Sequence, residues 1–207
     1  MTDKSNYDLM RNQMRSEFIK YNQEKMIEKF NLCHDKNYLY LNFVSRYYRI
    51  HRTKGLVEWS DNQFCSAIEA DYNESMTIYD VLCYSRDDCK LSGKFCPIHR
   101  AKGVPKTIYM KGSIFQKSAT EFQGHLRELK EACSQLGESL SMAGDVAALI
   151  KTFPFLPVTF QFWEGDDEFP PSMKFMFDEN ILEYMHFETV HFMTFHILKR
   201  LKEIINI

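Results

Sequence analysis

The chain lacks every compact motif that announces a reaction. It has no G-x-S-x-G elbow, no phosphate-cradling P-loop and no dinucleotide-type G-x-G-x-x-G. Nucleophilic hydrolysis on an elbow, P-loop phosphoryl transfer and hydride transfer on a Rossmann turn therefore find no support. No run of 18 apolar residues occurs, so no membrane-spanning helix is expected. An excess of one charge is also missing. Lys and Arg number 26 against 28 Asp and Glu, a net of −2, and the pI is near 6.4. A general nucleic-acid binder needs net positive charge to attract phosphates, so none is expected. The six cysteines, at 33, 65, 83, 89, 96 and 133, never form a tight C-x-x-C series. Met1-Thr-Asp-Lys-Ser-Asn opens into a charged amphipathic stretch, not an apolar signal core, which points to the cytoplasm and to reduced thiols.

What is present is a ring-rich chain. Among 207 residues there are 17 Phe, 11 Tyr and 11 Met, enough for one core of flat rings and pliable thioethers. Charge is segregated along the sequence. Arg86 to Lys117 carries eight Lys or Arg against two Asp, whereas Glu164 to Glu188 carries eight Asp or Glu against Lys174 alone. Either the two faces attract each other across the fold, or the basic stretch holds an anionic ligand.

Hydrophobic periodicity gives one α+β domain over 1–207, a mostly antiparallel sheet flanked by helices. Tyr7 to about Asn31 reads as helix through Met10, Met14, Phe18 and Tyr21, with Met26, Ile27 and Phe30 continuing after a bend. Tyr38–Phe43, Arg46–Ile50 and Leu56–Trp59 read as an antiparallel meander. Glu74 to Tyr84 is helical with Asn73 or Ser75 as cap, Ser85 to Pro105 is loop, and Thr107 to Phe115 is a strand pair. Ser118-Ala-Thr-Glu121 has capping-box spacing before the stripe Phe122, Leu126, Leu129, Cys133 and Leu136, with Gly137 as a left-handed stop. A short helix is expected from Asp145 to Lys151. Val158–Trp163 and Met173–Phe177 alternate in the manner of strands and form a hairpin, and Glu188 to Ile205 closes the chain as a helix.

The hairpin's loop, Glu164-Gly165-Asp166-Asp167-Glu168-Phe169-Pro170-Pro171, packs four carboxylates into five residues. With its flanks it carries a resemblance. Gly144-Asp145, Phe153-Pro154-Phe155-Leu156-Pro157-Val158, Trp163-x-Gly165-Asp166-Asp167-Glu168-Phe169-Pro170, Phe177-Asp178, Tyr184 and Glu188 make the chain similar to an uncharacterised prokaryotic family, a domain of unknown function. Some relatives carry an added four-cysteine iron–sulfur module, which implies a setting in redox or one-carbon metabolism. This chain departs from them, because its cysteines are scattered.

The working surface is placed at Trp163, Asp166, Asp167, Glu168 and Asp178, as contacts to a small polar or anionic ligand or to a basic protein partner. No cofactor is expected. A divalent cation on Asp166, Asp167 and Glu168, with Asp178 or Asp145 joining, is one alternative, since hard cations take several oxygens from rigid loops. Zinc on Cys89, Cys96 and His99, completed by Cys83, is another. The leading reading is a non-catalytic ligand-binding or accessory domain. The enzymatic alternative, which the resemblance implies, is a metal- or cofactor-assisted enzyme linked to redox or one-carbon metabolism, for which Glu168 and Asp178 are a conceivable acid/base pair. Arg46, Arg49, His51, Arg52 and Lys54 beside Tyr47 and Tyr48 suit either single-stranded nucleic acid or a sheet with one wet face. His186, His191 and His196 step by five, so they share no helical face and read as surface or boundary residues.

Overall fold

The computed structural model describes residues 6–105 and 115–207. Two helices open it, α1 (Asn6–Phe18) and α2 (Gln23–Phe30), separated by the bend that the two apolar sets require. A meander follows: β1 (Cys33–His34), β2 (Tyr38–Phe43), β3 (Arg46–His51), β4 (Val57–Ser60) and β5 (Ile68–Glu69), paired in chain order and all antiparallel. Leu41 faces Tyr48 and Leu39 faces Ile50 across β2 and β3, so the buried residues of both strands fall on one side. Next come α3 (Tyr72–Tyr84), β6 (Phe95–Cys96), a 3-10 turn at Ile98–Arg100, α4 (Gln116–Phe122) and α5 (Leu126–Leu136). β7 (Gly137–Ser139), β8 (Val146–Phe153), β9 (Leu156–Trp163) and β10 (Ser172–Asp178) build a second antiparallel sheet in the order β6-β10-β9-β8-β7. A 3-10 turn at Ile181–Glu183 leads into α6 (Phe187–Ile205).

The fold is α+β, with helices flanking antiparallel sheet. Two sheets are present where the sequence suggested one. They meet where Phe43 of β2 stacks on Phe153 of β8, with ring centroids 4.6 Å apart and planes 14° from parallel. A backbone bond from the Val44 amide to the Thr152 carbonyl, 2.7 Å, closes the same seam. The buried apolar side chains of both sheets and of the helices form one continuous cluster.

Several local expectations are corrected. The α3 cap is Asp71, not Asn73 or Ser75: its carboxylate accepts from the Glu74 amide at 2.9 Å while the Glu74 carboxylate accepts from the Asp71 amide at 2.7 Å. This is a capping box with Asp in the first place. Ser118 caps nothing, because it lies inside α4, and the expected long helix breaks at Gln123-Gly124-His125. Gly137 is extended, not left-handed. A side chain there would collide with the Leu149 carbonyl, so glycine serves a close strand crossing. The expected helix over Asp145–Lys151 is instead strand from Val146, because pairing with β9 lets Val146, Ala148 and Ile150 bury every second side chain, a period of two that tertiary pairing selects over a short helix. The strand pair expected at Thr107 to Phe115 falls outside the described residues, apart from Phe115 itself, which precedes α4.

Between β3, α3 and α6 lies a buried ionic cluster that the sequence did not advertise. The fully buried Glu74 carboxylate faces Arg46 and Lys199, each at 3.4 Å. Arg46 also reaches Glu203 at 2.9 Å and lies flat over Trp59, 3.6 Å from its ring centre. His196 is a correction too: it is wholly buried, not a surface or boundary residue. Its Nε2 pairs with the Tyr48 hydroxyl at 3.2 Å, and its Nδ1 lies 3.4 Å from Glu74 without hydrogen-bond alignment. Burial first, then the cations Lys199, Arg46 and Arg200, hold its pKa well below the ordinary value. The ring is therefore neutral in the folded chain and takes up a proton only on unfolding.

The sign of the resulting linkage is fixed. His196 contributes its full stability above an unfolded-state pKa of about 6.5 and loses it as pH falls below that value, by up to about 1.4 kcal/mol per pH unit. Urea unfolding between pH 7.5 and 5 is expected to show this slope, and His196→Gln to flatten it. An unchanged slope in the variant would place the titration elsewhere.

Candidate functional site

The acidic hairpin is built as the alternation demanded. Trp163 at the end of β9 pairs with Ser172 at the start of β10, which leaves 164–171 as the connecting loop. Asp166 folds that loop on itself. Its carboxylate accepts from the Phe169 amide at 2.7 Å and the Glu168 amide at 2.9 Å, while its own amide donates to the Phe169 carbonyl at 2.9 Å. These amide bonds, from Phe169 and then Glu168, hold the Asp166 carboxyl below the usual carboxylate range. Asp166 is thus committed to the turn.

The loop is braced from outside as well. The Glu164 carboxylate accepts from the Gly124 amide at 2.6 Å, at the break between α4 and α5. Gln116 donates to the Pro171 carbonyl at 2.9 Å. The Glu164 amide donates to Asp145 at 2.8 Å. Gly165 is pressed against Pro171, where a Cβ would sit 2.6 Å from the proline ring. What remains free is the tip. Asp167, Glu168, Phe169 and Pro170 are all exposed, and Phe169 keeps 67% of its surface in solvent. It does not fold back onto the core. Neither Asp167 nor Glu168 makes an ion pair among the described residues. Trp163 is half-buried at the base.

Asp178 does not join this tip. It lies at the far end of β10, roughly 20 Å along a strand that rises about 3.3 Å per residue. It is 1% exposed, and its carboxylate accepts from the Ser92 amide at 3.0 Å, the Ser92 hydroxyl at 3.2 Å, the Gly93 amide at 2.8 Å and the Asn180 amide at 2.9 Å. This anchors the basic segment: β6 pairs with β10, Lys102 meets Glu179 at 3.0 Å, and the Arg86 amide donates to the Glu183 carbonyl at 2.8 Å. Among the described residues one ion pair, Lys102–Glu179, joins the two oppositely charged stretches. A Glu168–Asp178 acid/base pair has no shared site.

The other candidate sets disperse. Cys96 lies on β6, His99 in the exposed 3-10 turn, Cys83 on α3 and Cys89 in the intervening loop. Burial raises the thiols of Cys83 (to about 12), Cys89 and Cys96, which keeps them protonated. Among the described residues no three His, Cys, Asp or Glu side chains gather into a metal-binding group. Cys133 is core, its thiol pushed up to about 12 by burial. The three arginines of the basic set are occupied: Arg46 as above, Arg49 with Glu58 at 2.9 Å, and Arg52, just past β3, with Glu24 and Gln23.

Fold and site define a two-sheet α+β scaffold that braces an acidic, aromatic-tipped hairpin. The family model described as a domain of unknown function, DUF3786, matches residues 22–200, and the chain belongs to that family. No curated protein and no solved structure matches it. No helix of the described residues is long and apolar enough to cross a membrane.

The bonds to Asp178 make a prediction. Asp178→Ala removes the shared acceptor of the Ser92 and Gly93 amides, which lie partly open to water, a loss of about 1–2 kcal/mol. A lowered melting temperature is expected, with faster amide exchange in 86–97. A variant with wild-type exchange there would show the anchoring to be unimportant.

Proposed function

We propose that this chain is a non-catalytic accessory module that docks a basic protein surface through its hairpin tip. The observation that carries this is the pairing of two carboxylates without an ion pair among the described residues, Asp167 and Glu168, with an exposed Phe169 on a braced loop. A braced loop loses little conformational entropy on association, so its contacts count nearly in full. The carboxylates steer a cationic partner and set orientation. Phe169 supplies the apolar contact that charge alone does not give. A convex tip of this kind suits a protein surface better than a small ligand, which needs a concave site.

Fluorescence anisotropy with a labelled lysine- and phenylalanine-containing peptide tests this, at low and at physiological salt. Asp167→Lys with Glu168→Lys is expected to abolish binding, and Phe169→Ala to weaken it about tenfold. The control Asp61→Lys with Glu131→Lys, both exposed and outside the loop, is expected to change it less than about twofold once screening is applied. Equal losses in tip and control variants would reduce the effect to net charge and remove the tip's role.

A further inference from the structure

A second feature, independent of the tip, lies where α2 crosses the loop after α3. Lys25, Glu28, Lys29 and Phe30 form one wall of a groove of about 480 Å³, and Asp87, Cys89, Phe155 and Tyr184 form the other. Phe30 and Phe155 stack at 4.2 Å with planes 20° apart, both half-buried, so their edges make an apolar floor. Tyr184 lies nearly parallel to Phe155, 6.3 Å away.

The polar feature of the groove is Lys29. Its ammonium donates to both the carbonyl and the hydroxyl of Ser85, each at 2.8 Å, and lies 5.2 Å from the centre of the Phe30 ring. Those bonds use two of its three N–H groups. No carboxylate pairs with it among the described residues. A half-buried cation with a fixed position, an unused donor and no counter-charge is a prepared anion seat. The acids that line the groove, Glu28 and Asp87, are exposed and screened by water. Asp88 and Glu183 also act on Cys89, but more weakly than Lys29 does.

We infer that this groove binds a small organic anion, its flat apolar body against Phe30 and Phe155 and its charged group on the Lys29 ammonium beside Cys89. Charge and ring together define the ligand class: an aromatic or otherwise planar carboxylate in preference to a bare inorganic anion or a neutral ring. The ring floor supplies affinity through burial, and the single cation sets orientation. Burial raises the Cys89 thiol, so it is a slow nucleophile with no catalytic part here, and its residual alkylation reports on the seat.

That reporter makes the test direct. Alkylation by iodoacetate, an anion, is compared with alkylation by neutral iodoacetamide, and each site is quantified by mass spectrometry. The exposed Cys33 and Cys65 are internal references. The iodoacetate-to-iodoacetamide rate ratio is expected to be at least about threefold higher at Cys89 than at the references. Taking a ratio cancels any change in thiol ionisation, which affects both reagents alike. Lys29→Gln is expected to bring the ratio down to the reference value, and Lys29→Arg to preserve it. Benzoate is expected to protect Cys89 from iodoacetamide at concentrations where acetate and benzamide do not. A Cys89 ratio equal to that of Cys33, or one unchanged by Lys29→Gln, overturns the anion seat. Equal protection by benzoate and acetate overturns the ring seat. Neither outcome bears on the hairpin tip, which lies on different elements.

Discussion

A column of stacked rings joins the two sheets. Phe30 lies on Phe155, Phe155 on Phe153 at 5.3 Å, Phe153 on Phe43, and Phe43 on His196 at 4.6 Å, all within 24° of parallel. The column passes from α2 through the β8–β9 turn into β8, across to β2 and on to α6. Each aromatic pair adds about 0.5–1.5 kcal/mol beyond its area of burial. Four such contacts are comparable with a sizeable fraction of a domain's net stability of about 5–15 kcal/mol. At its foot the neutral His196 ring faces Tyr48 and the Glu74 cluster, so the apolar column ends on a fixed polar base. At its head Phe30 and Phe155 open into the groove. One set of contacts thus ties the position of the groove to the packing of the core.

The ionic cluster at the foot is best understood as a register device. Burying Glu74 and Arg46 costs desolvation that their attraction to each other and to the half-exposed Lys199 roughly offsets, so the cluster adds little net stability over an apolar equivalent. Its arrangement is nonetheless specific. Glu74 closes its own helix cap, Arg46 is wedged between Trp59 and Glu203, and Lys199 reaches Asp71 at 2.7 Å. Sliding α6 by one turn would strand a buried charge. The hairpin tip relies on the opposite arrangement, in which internal partners hold Asp166 and one oxygen of Glu164 so that Asp167 and Glu168 remain available.

Much of the architecture was legible in the chain. The ring-studded hairpin, the meander and the closing helix each have an unambiguous period, and each formed nearly where that period placed it. The errors arose where local pattern and tertiary context disagree. Asp145–Lys151 is short enough to suit a helix until β9 offers it a partner. Ser118 has the right spacing to Glu121, yet the chain enters α4 before it. Asp71-x-x-Glu74 is a capping signature with which Asn73 and Ser75 compete, because they lie closer to the apolar residues. The site divides in the same way. The carboxylate run marked the tip, but no pattern separates Asp166, which the turn consumes, from Asp167, which it frees. Asp178 looked like a neighbour in sequence composition and proved to be the anchor of another loop. The Lys29 seat is invisible in sequence, because it joins residues 25–30, 85–89, 155 and 184 through folding alone.

The central claim is that the ring column makes both sheets one cooperative body carrying tip and groove together. Native-state hydrogen exchange tests it most directly, by comparing amides of β2 and β3 with those of β9 and β10 in rising denaturant. The account predicts that the slowest amides of both sheets merge onto a single opening isotherm with the same denaturant slope. Separate isotherms, with one sheet opening while the other stays closed, would contradict it.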